Sequence, residues 1–306
     1  MLGAKAIELL IPSEGMRIDP SACVYRRFSR SQCRSCAEVC PTAAMTVEKG
    51  PAIDRTRCGS CRRCEAVCPT GAILGDTREL GELAAILAES SGPILGCREP
   101  GVTAHAHTGC LGFLGVEGLL ALSIFFPEGV SFNLTRCSEC PNAQIASGLA
   151  TDVTAVVGLD AGGGTLSLVN RAEDLTFREN GFSRREFFDV LRRRSVGSFT
   201  QAAKRLGQVQ PVFDGRRKNL PAQRRLLLRA LPLLSDETRQ RIERELFPRY
   251  QFTSSCSSCT GCAGICPTGA ITVGGEDRPE PVFLRQFCTN CKLCTAFCRK
   301  SGISDA

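Results

Sequence analysis

Residues 58–69 read Cys58-Gly-Ser-Cys61-Arg-Arg-Cys64-Glu-Ala-Val-Cys68-Pro69, so that successive cysteines are separated by two, two and three residues. Three thiolates spaced in this way can face one iron–sulfur cubane, while the fourth points towards a neighbouring one. Three further runs share the pattern, the first of them shortened: Cys33, Cys36 and Cys40; Cys256, Cys259, Cys262 and Cys266; Cys288, Cys291, Cys294 and Cys298. Four such runs predict that iron–sulfur clusters organise the fold.

The number of cysteines sets this chain apart from ordinary domains, since 20 of its 306 residues are cysteine. Residues 1–12 lack the cleavage site of a secretory signal peptide, and no apolar run approaches the length of a membrane span. We therefore expect a cytoplasmic protein without a membrane span. Disulfides are rare in that compartment, so clustered cysteines are expected to be metal ligands.

The basic balance of the chain is weak evidence for a nucleic-acid partner. Its formal charge of +7 counts every thiol as neutral, whereas metal-bound thiols are deprotonated. A [4Fe-4S] core with four thiolates carries about −2, so five such clusters would bring the total to about −3. We expect part of the basic charge to offset the clusters, and we expect no nucleic-acid partner.

The block that holds the first two runs resembles the bacterial two-cluster [4Fe-4S] ferredoxins, and residues 256–298 resemble a second copy. Residues 44–47 and 52–54 flank Glu48-Lys49-Gly50-Pro51, which predicts a β-hairpin, and residues 5–11 and 70–74 are predicted strands. The resemblance implies that three cysteines of one run share a cluster with the last cysteine of the other run. It implies four [4Fe-4S] clusters, with the ligands Cys58, Cys61, Cys64 and Cys40; Cys256, Cys259, Cys262 and Cys298; Cys288, Cys291, Cys294 and Cys266; and Cys33, Cys36 and Cys68 with one ligand missing.

The sequence departs from the ferredoxin pattern at two positions. Arg30 stands where the missing ligand belongs, three residues before Cys33, and Arg299 replaces the proline that usually follows the last cysteine of a run. Cys23 is the nearby substitute, and a longer loop from it would close the site. The alternative is a free Cys23 beside a cluster with one open iron, or beside a three-iron cluster. We expect Cys23 to be the ligand, because a reactive thiol would otherwise lie next to a metal site.

Residues 76–175 are predicted to form a small α/β domain with a mostly parallel sheet. Leu80, Leu83, Ala84 and Leu87 repeat at helical spacing, residues 111–126 and the segment after Pro141 are predicted helices, and residues 94–96, 130–134, 154–159 and 166–169 are predicted strands. Four cysteines follow these strands: Cys97, Cys110, Cys137 and Cys140. Ligands bind beyond the carboxyl ends of strands in such sheets, so a four-cysteine metal site is expected there.

The metal at this central site is left open by the sequence. Four thiolates also suit structural zinc, although the neighbouring cluster motifs favour a fifth iron–sulfur cluster, [4Fe-4S] or [2Fe-2S]. The layout is loosely similar to the small iron–sulfur subunit of hydrogenase and heterodisulfide reductase complexes. His105 and His107 could face the site, but we expect loop histidines bonded to backbone or water, because four thiols already complete the site.

The fold expected overall is α+β, with two ferredoxin-like modules flanking a small α/β domain and a helical linker. The predicted boundaries are residues 1–75, 76–175, 176–250 and 251–306. The linker is basic and helical: Ser183 begins one predicted helix, Pro221 precedes a Leu-rich one, and Ser235 caps a third.

Several clusters in one chain predict an electron relay of the polyferredoxin type. Neither a nucleotide-phosphate loop nor a Ser–His–Asp arrangement is evident, so we identify no small-molecule substrate and expect a non-catalytic subunit. Its expected partners are redox enzyme subunits, such as a hydrogenase, a formate dehydrogenase or a heterodisulfide-reductase-like complex. The alternatives are an oxidoreductase with chemistry at the central site and a redox-sensing metal-binding scaffold.

Overall fold

The computed structural model describes residues 16–75, 80–178, 206, 219–275 and 278–306. The chain divides into two compact units. The first unit combines residues 1–77, 215–221 and 247–306, and the second combines residues 78–214 and 222–246. Both contain helices and strands, in agreement with the expected α+β class. The predicted strand at residues 5–11 and the predicted helix at Ser183 lie outside the described residues.

The N-terminal part of the first unit is a small module of short elements. In chain order they are β1 (Arg17–Ile18), α1 (Val24–Arg27), α2 (Ser35–Glu38), β2 (Met45–Thr46), β3 (Ala52–Ile53), α3 (Arg63–Val67) and β4 (Ile73–Leu74). Strands β2 and β3 form the predicted hairpin, with Gly50 at φ 105° in its turn. Strand β4 confirms the predicted strand after Cys68, and it pairs in antiparallel fashion with β1.

Cysteines are part of the core of this module. Met16, Met45 and Ile73 are buried together with the side chains of Cys64 and Cys68. The module is too small to bury a large apolar core. Much of its stability must therefore come from what its thiols bind, since metal binding contributes directly to the folding free energy of such domains.

The second unit contains a parallel four-stranded sheet with the order β6-β5-β7-β8. Its elements up to residue 178 are α4 (Leu80–Leu87), β5 (Ile94–Cys97), β6 (Ala106–Thr108), α5 (Val116–Phe125), β7 (Val130–Asn133), α6 (Gln144–Gly158) and β8 (Leu166–Val169). The mostly parallel sheet and the helix from Leu80 are confirmed. A helical turn at Leu111–Phe113 precedes α5, and Gly115 separates the two, so the single predicted helix at 111–126 is interrupted.

The strand predicted at residues 154–159 is wrong, because this segment is the C-terminal part of α6. Its β-branched residues, Thr154, Val156 and Val157, suggested a strand through their intrinsic preference. Val156 is nevertheless buried on the same helix face as Leu149, while Val157 is 68% exposed. Packing of that face therefore overrides the local preference.

Two helices that follow Pro221 complete the second unit. They are α7 (Ala222–Ala230), which packs on α5, and α8 (Asp236–Leu246). Ser235 caps α8 as predicted, because its Oγ accepts the backbone N–H of Thr238 at 3.2 Å. The buried guanidinium of Arg224 on α7 donates to both carboxylate oxygens of Glu117 on α5, at 2.5 and 2.8 Å.

The C-terminal part of the first unit repeats the plan of the N-terminal module. Its elements are β9 (Tyr250–Phe252), α9 (Gly261–Ile265), β10 (Ile271–Gly274), β11 (Glu280–Phe283), α10 (Leu293–Phe297) and β12 (Ile303–Asp305). Strand β9 pairs with β12 as β1 pairs with β4, and β10 and β11 form the hairpin that corresponds to β2 and β3. Helices α9 and α10 pack together as α2 and α3 do.

Candidate metal centres

The last cysteine of each run is followed by a turn that folds the chain back over its sulfur. The third residue after it has a left-handed φ in all four runs: Ala43 (50°), Gly71 (61°), Gly269 (76°) and Ser301 (50°). For three of these cysteines, the backbone N–H of the fourth residue after the cysteine donates to its sulfur. The donors are Ala44 to Cys40 Sγ at 3.2 Å, Ala72 to Cys68 Sγ at 3.2 Å and Gly302 to Cys298 Sγ at 3.3 Å. An N–H aimed at sulfur stabilises the thiolate, which is the form that binds metal.

A second left-handed feature marks the three complete runs. The residues on both sides of the second cysteine have φ between 51° and 63°: Ser60 and Arg62, Ser258 and Thr260, and Asn290 and Lys292. Arg34 takes the place of Arg62 in the shortened run and has φ −128°. In that run, the left-handed winding of the loop and the first cysteine of the pattern are thus lost together.

Four cysteines of the N-terminal module line one small cavity and are called the first site: Cys23, Cys33, Cys36 and Cys68. The pairing of β1 with β4 brings the loop that contains Cys23 next to Cys68, because β4 begins five residues after Cys68. Asp19 strengthens this contact, since its N–H donates to the carbonyl of Ala72 at 2.7 Å. Burial, followed by repulsion from the thiolates of Cys68, Cys33 and Cys23, raises the pKa of Cys36 to about 11.

The second site consists of Cys40, Cys58, Cys61 and Cys64. Burial, with repulsion from Cys61 and its neighbours, raises the pKa of Cys64 to about 12. Although burial opposes it, hydrogen bonding from the backbone of Met45 and from Thr42 lowers the pKa of the Cys40 thiol. Cys36 of the first site is also among the electrostatic neighbours of Cys64, so the first and second sites adjoin.

The third site consists of Cys256, Cys259, Cys262 and Cys298, which line a larger, open cavity. Phe28 and Arg30 of the N-terminal module line this cavity too. Arg30 is thus placed beside the third site, although the ferredoxin pattern would put a ligand of the first site at its position. Phe28 also meets the ring of Phe297 edge-on, with ring centroids 5.7 Å apart.

The fourth site consists of Cys266, Cys288, Cys291 and Cys294. Burial raises the pKa of Cys291 and of Cys294 to about 12, and the thiolates of Cys266 and Cys288 add to the effect in both. The thiolate of Cys33 also acts on Cys291. The first and fourth sites therefore adjoin across the two modules of the first unit.

The central site lies at the carboxyl edge of the parallel sheet in the second unit. Cys97 ends β5, Cys110 follows β6 by two residues, and Cys137 and Cys140 follow β7. Burial, then repulsion from Cys97 and Cys140, raises the pKa of Cys137 to about 11. Cys140 Sγ accepts the N–H of Asn142 at 3.4 Å. Three sulfurs are thus electrostatic neighbours, and Cys110 occupies the same edge.

Both histidines are hydrogen-bonded to the backbone. His105 lies just before β6, at the amino edge of the sheet and away from the cysteines. Its Nδ1 accepts from the Ile94 N–H at 3.1 Å, and its Nε2 donates to the Arg178 carbonyl at 3.0 Å. His107 Nε2 donates to the Val102 carbonyl at 3.0 Å. These bonds agree with the backbone-bonded role expected for the two residues.

The thiols at these sites fit the requirements of an iron–sulfur cluster. Every cysteine lies in the described part of the chain, and none of the twenty forms a disulfide. Over that same part, no three Cys, His, Asp or Glu side chains are arranged to hold a single metal ion. A cubane has a different requirement, because each of its four thiolates binds a different iron. Thiols that share one cavity, with N–H groups aimed at sulfur, fit this requirement.

The site residues that the sequence analysis missed are not cysteines. They include Phe28, Phe297 and Lys300 at the third site and three threonines two residues after a last cysteine, Thr42, Thr70 and Thr268, whose hydroxyls lie 3.7–3.9 Å from the sulfur. The repeated Cys-Pro-Thr sequence was a usable signal for the threonines. No local pattern signals the aromatic pair, since its members come from different modules.

Comparison with known proteins identifies part of the first unit. Residues 29–72 match the family model of the 4Fe-4S dicluster domain, and they contain the seven cysteines from Cys33 to Cys68. No curated protein and no solved structure matches the chain. This segment is therefore a ferredoxin-like iron–sulfur domain with at least one [4Fe-4S] cluster, which makes the chain an iron–sulfur electron-transfer protein. None of its described helices combines the length and apolar character that a membrane span requires.

Proposed function

We propose that this protein is a polyferredoxin-type relay that passes low-potential electrons to or from a redox enzyme. The observation that carries the proposal is the adjacency of sulfur sites within the first unit. Cys36 and Cys64 bring the first and second sites together, and Cys33 and Cys291 bring the first and fourth together. Electron transfer needs short steps between centres, and this order supplies them from the second site through the first to the fourth.

Four [4Fe-4S] clusters are proposed for the first unit, one at each of its sites. Each cluster, when bound, takes up and releases one electron. The chain's own contribution is to hold the sulfurs, to exclude water and to donate N–H bonds to thiolates. For the first site, the cavity shared with Cys33, Cys36 and Cys68 and the β1–β4 pairing support Cys23 as the fourth ligand.

A fifth iron–sulfur cluster is proposed for Cys97, Cys110, Cys137 and Cys140, with zinc as the alternative. The shared edge of the sheet supports a metal there, since ligands bind at the carboxyl ends of parallel strands. Enzymatic chemistry at this site has no support from the histidines, because both are bonded to backbone groups. The partner enzyme is proposed by analogy with iron–sulfur subunits of the hydrogenase, formate dehydrogenase and heterodisulfide reductase type.

The test is an anaerobic redox titration followed by EPR, with iron, sulfide and zinc measured on the same sample. A relay of this kind shows several reversible one-electron transitions at low potential, with magnetic interaction between neighbouring reduced clusters. A protein that contains zinc in place of iron, or that takes up no electrons reversibly, would overturn the proposal.

A further inference from the structure

The third site reaches the protein surface through one of its cysteines. Cys259 is the only exposed cysteine among the twenty, all of which lie in described segments. Its cavity is also larger than that of the first site, which is lined mostly by apolar residues and cysteines. A cluster at the third site would therefore be the one that a second protein can approach most closely.

The cavity of the third site also has a basic rim. Arg30, Arg299 and Lys300 line it, and no Asp or Glu is among the described residues that do so. The cavity of the first site has no charged lining residue at all among the described ones. Of these two cavities, only that of the third site has positively charged side chains among its described lining residues.

The two departures from the ferredoxin pattern meet at this cavity. Arg30 replaces a ligand cysteine in the N-terminal module, and Arg299 replaces a proline in the C-terminal module. Both side chains line the third site, although the two residues are far apart in sequence. Phe28 and Phe297, which are in edge-on contact, line the same cavity and supply apolar surface to it.

With a cluster bound, the charged groups at the third site itself still sum to about +1. A [4Fe-4S] core with four thiolates carries about −2, and the three basic side chains carry +3. Because these side chains are exposed, they act on an approaching protein over about a Debye length, roughly 10 Å at 0.1 M salt. An apolar floor with a charged rim is the arrangement found in transient protein interfaces.

We propose that the third site is the docking face at which this protein exchanges electrons with an acidic one-electron carrier protein. This proposal rests on the relay function proposed above and names the site at which the relay ends. In the exchange, one electron passes from the reduced cluster to the carrier, which is reduced as the cluster is oxidised. No covalent bond between the two proteins is made, and any proton that the reduced carrier takes up comes from solvent. The basic rim steers the carrier, and the aromatic pair provides the contact surface.

The experiment compares two charge-reversal variants of equal charge change. Arg299→Glu/Lys300→Glu alters the rim, while Lys49→Glu/Arg55→Glu alters two exposed residues that do not line the cavity. Each protein is reduced anaerobically and mixed in a stopped-flow instrument with oxidised flavodoxin as the acidic probe. Cytochrome c serves as the basic probe. Iron content and EPR spectra of each variant are measured first, to verify that the clusters are present.

The rim variant is expected to lower the second-order rate with flavodoxin by about tenfold or more at low salt, since steering changes association rates by 10–10³. Raising the salt should shrink the difference, and the rate with cytochrome c should rise. The control variant should change the rate with flavodoxin by less than about a third of the change seen in the rim variant. Equal losses in the two variants would overturn the docking proposal.

The outcomes for the docking face and for the relay are separable. If the protein takes up electrons and delivers them to both probes, but the rim variant behaves as the control does, only the docking proposal fails. If no reversible reduction is seen, the relay itself fails. If the rim variant loses iron, Arg30→Glu is used in its place, because residue 30 is not next to a ligand of the third site in the sequence. An unchanged flavodoxin rate in that variant would equally reject the docking face.

Discussion

Replacing Cys23 with serine tests the least conventional part of the metal sites. The cavity of the first site would keep Cys33, Cys36 and Cys68, which hold three irons of a cubane. A serine hydroxyl stays protonated, whereas the thiolate is the metal ligand. We therefore expect Cys23→Ser to lose about one iron per chain as a three-iron cluster forms, or about four if the cluster is lost.

The assay is iron and sulfide analysis of anaerobically purified protein, with EPR of the oxidised sample. A three-iron cluster gives its own signal in the oxidised state, while an intact [4Fe-4S] cluster is silent there. Tyr25→Phe is the matched control, because Tyr25 lines the same cavity without a sulfur. It should leave the iron content and the spectra unchanged.

A second substitution separates the structural explanation from simple sequence spacing. The ferredoxin pattern would place the missing ligand at residue 30, but Arg30 lines the cavity of the third site. Arg30→Cys in the Cys23→Ser background should therefore fail to restore the cluster. Unchanged iron in Cys23→Ser alone would refute the assignment of Cys23 as a ligand. Full rescue by Arg30→Cys would refute the placement of residue 30 beside the third site.

Three further outcomes are expected. Fully reconstituted protein should contain about twenty irons per chain if the central site holds [4Fe-4S]. A measured content of about sixteen irons and one zinc would show that the central site binds a structural zinc ion instead of a fifth cluster. Cys137→Ala/Cys140→Ala should spare the four outer clusters in EPR, and it should slow electron delivery to a partner enzyme only if the central site belongs to the relay. Arg224→Met should lower the free energy of unfolding of the second unit, measured in urea, by about 3 kcal/mol. This is the lower end of the range for breaking a buried ion pair, because the Glu117 side chain is 29% exposed. The control, Arg225→Met at an exposed position, should change that free energy by less than about 0.5 kcal/mol.

Elements that depend on local chemistry were predictable from the sequence. The hairpin around Gly50 was found because a turn sequence lies between short apolar segments, and the Ser235 cap because its hydroxyl acts three residues away. The position of Cys97 at the carboxyl edge of the sheet was also predictable, because Cys97 directly follows the predicted strand in the sequence. In each case the deciding interaction spans only a few residues.

Features that depend on long-range packing could not be predicted in this way. Strand β1 has only two residues, and its pairing with β4 involves a partner more than fifty residues away. The helical state of residues 154–158 depends on burial of Val156, which outweighs its β-branched shape. The place of Arg30 beside the third site depends on the contact between two modules, which no local pattern encodes.

The first unit is assembled from three stretches of chain, residues 1–77, 215–221 and 247–306, which residues of the second unit separate. During synthesis, the N-terminal module emerges first and the module with the fourth site last. Cys33 and Cys291 can become neighbours only after all the residues between them have been made. Contacts of such sequence separation form late in folding. A nascent or truncated chain would therefore carry the first and second sites as an isolated pair, without a route onward. In the proposed relay, the step from the first site to the fourth can therefore exist only in a chain that has been made through Cys291.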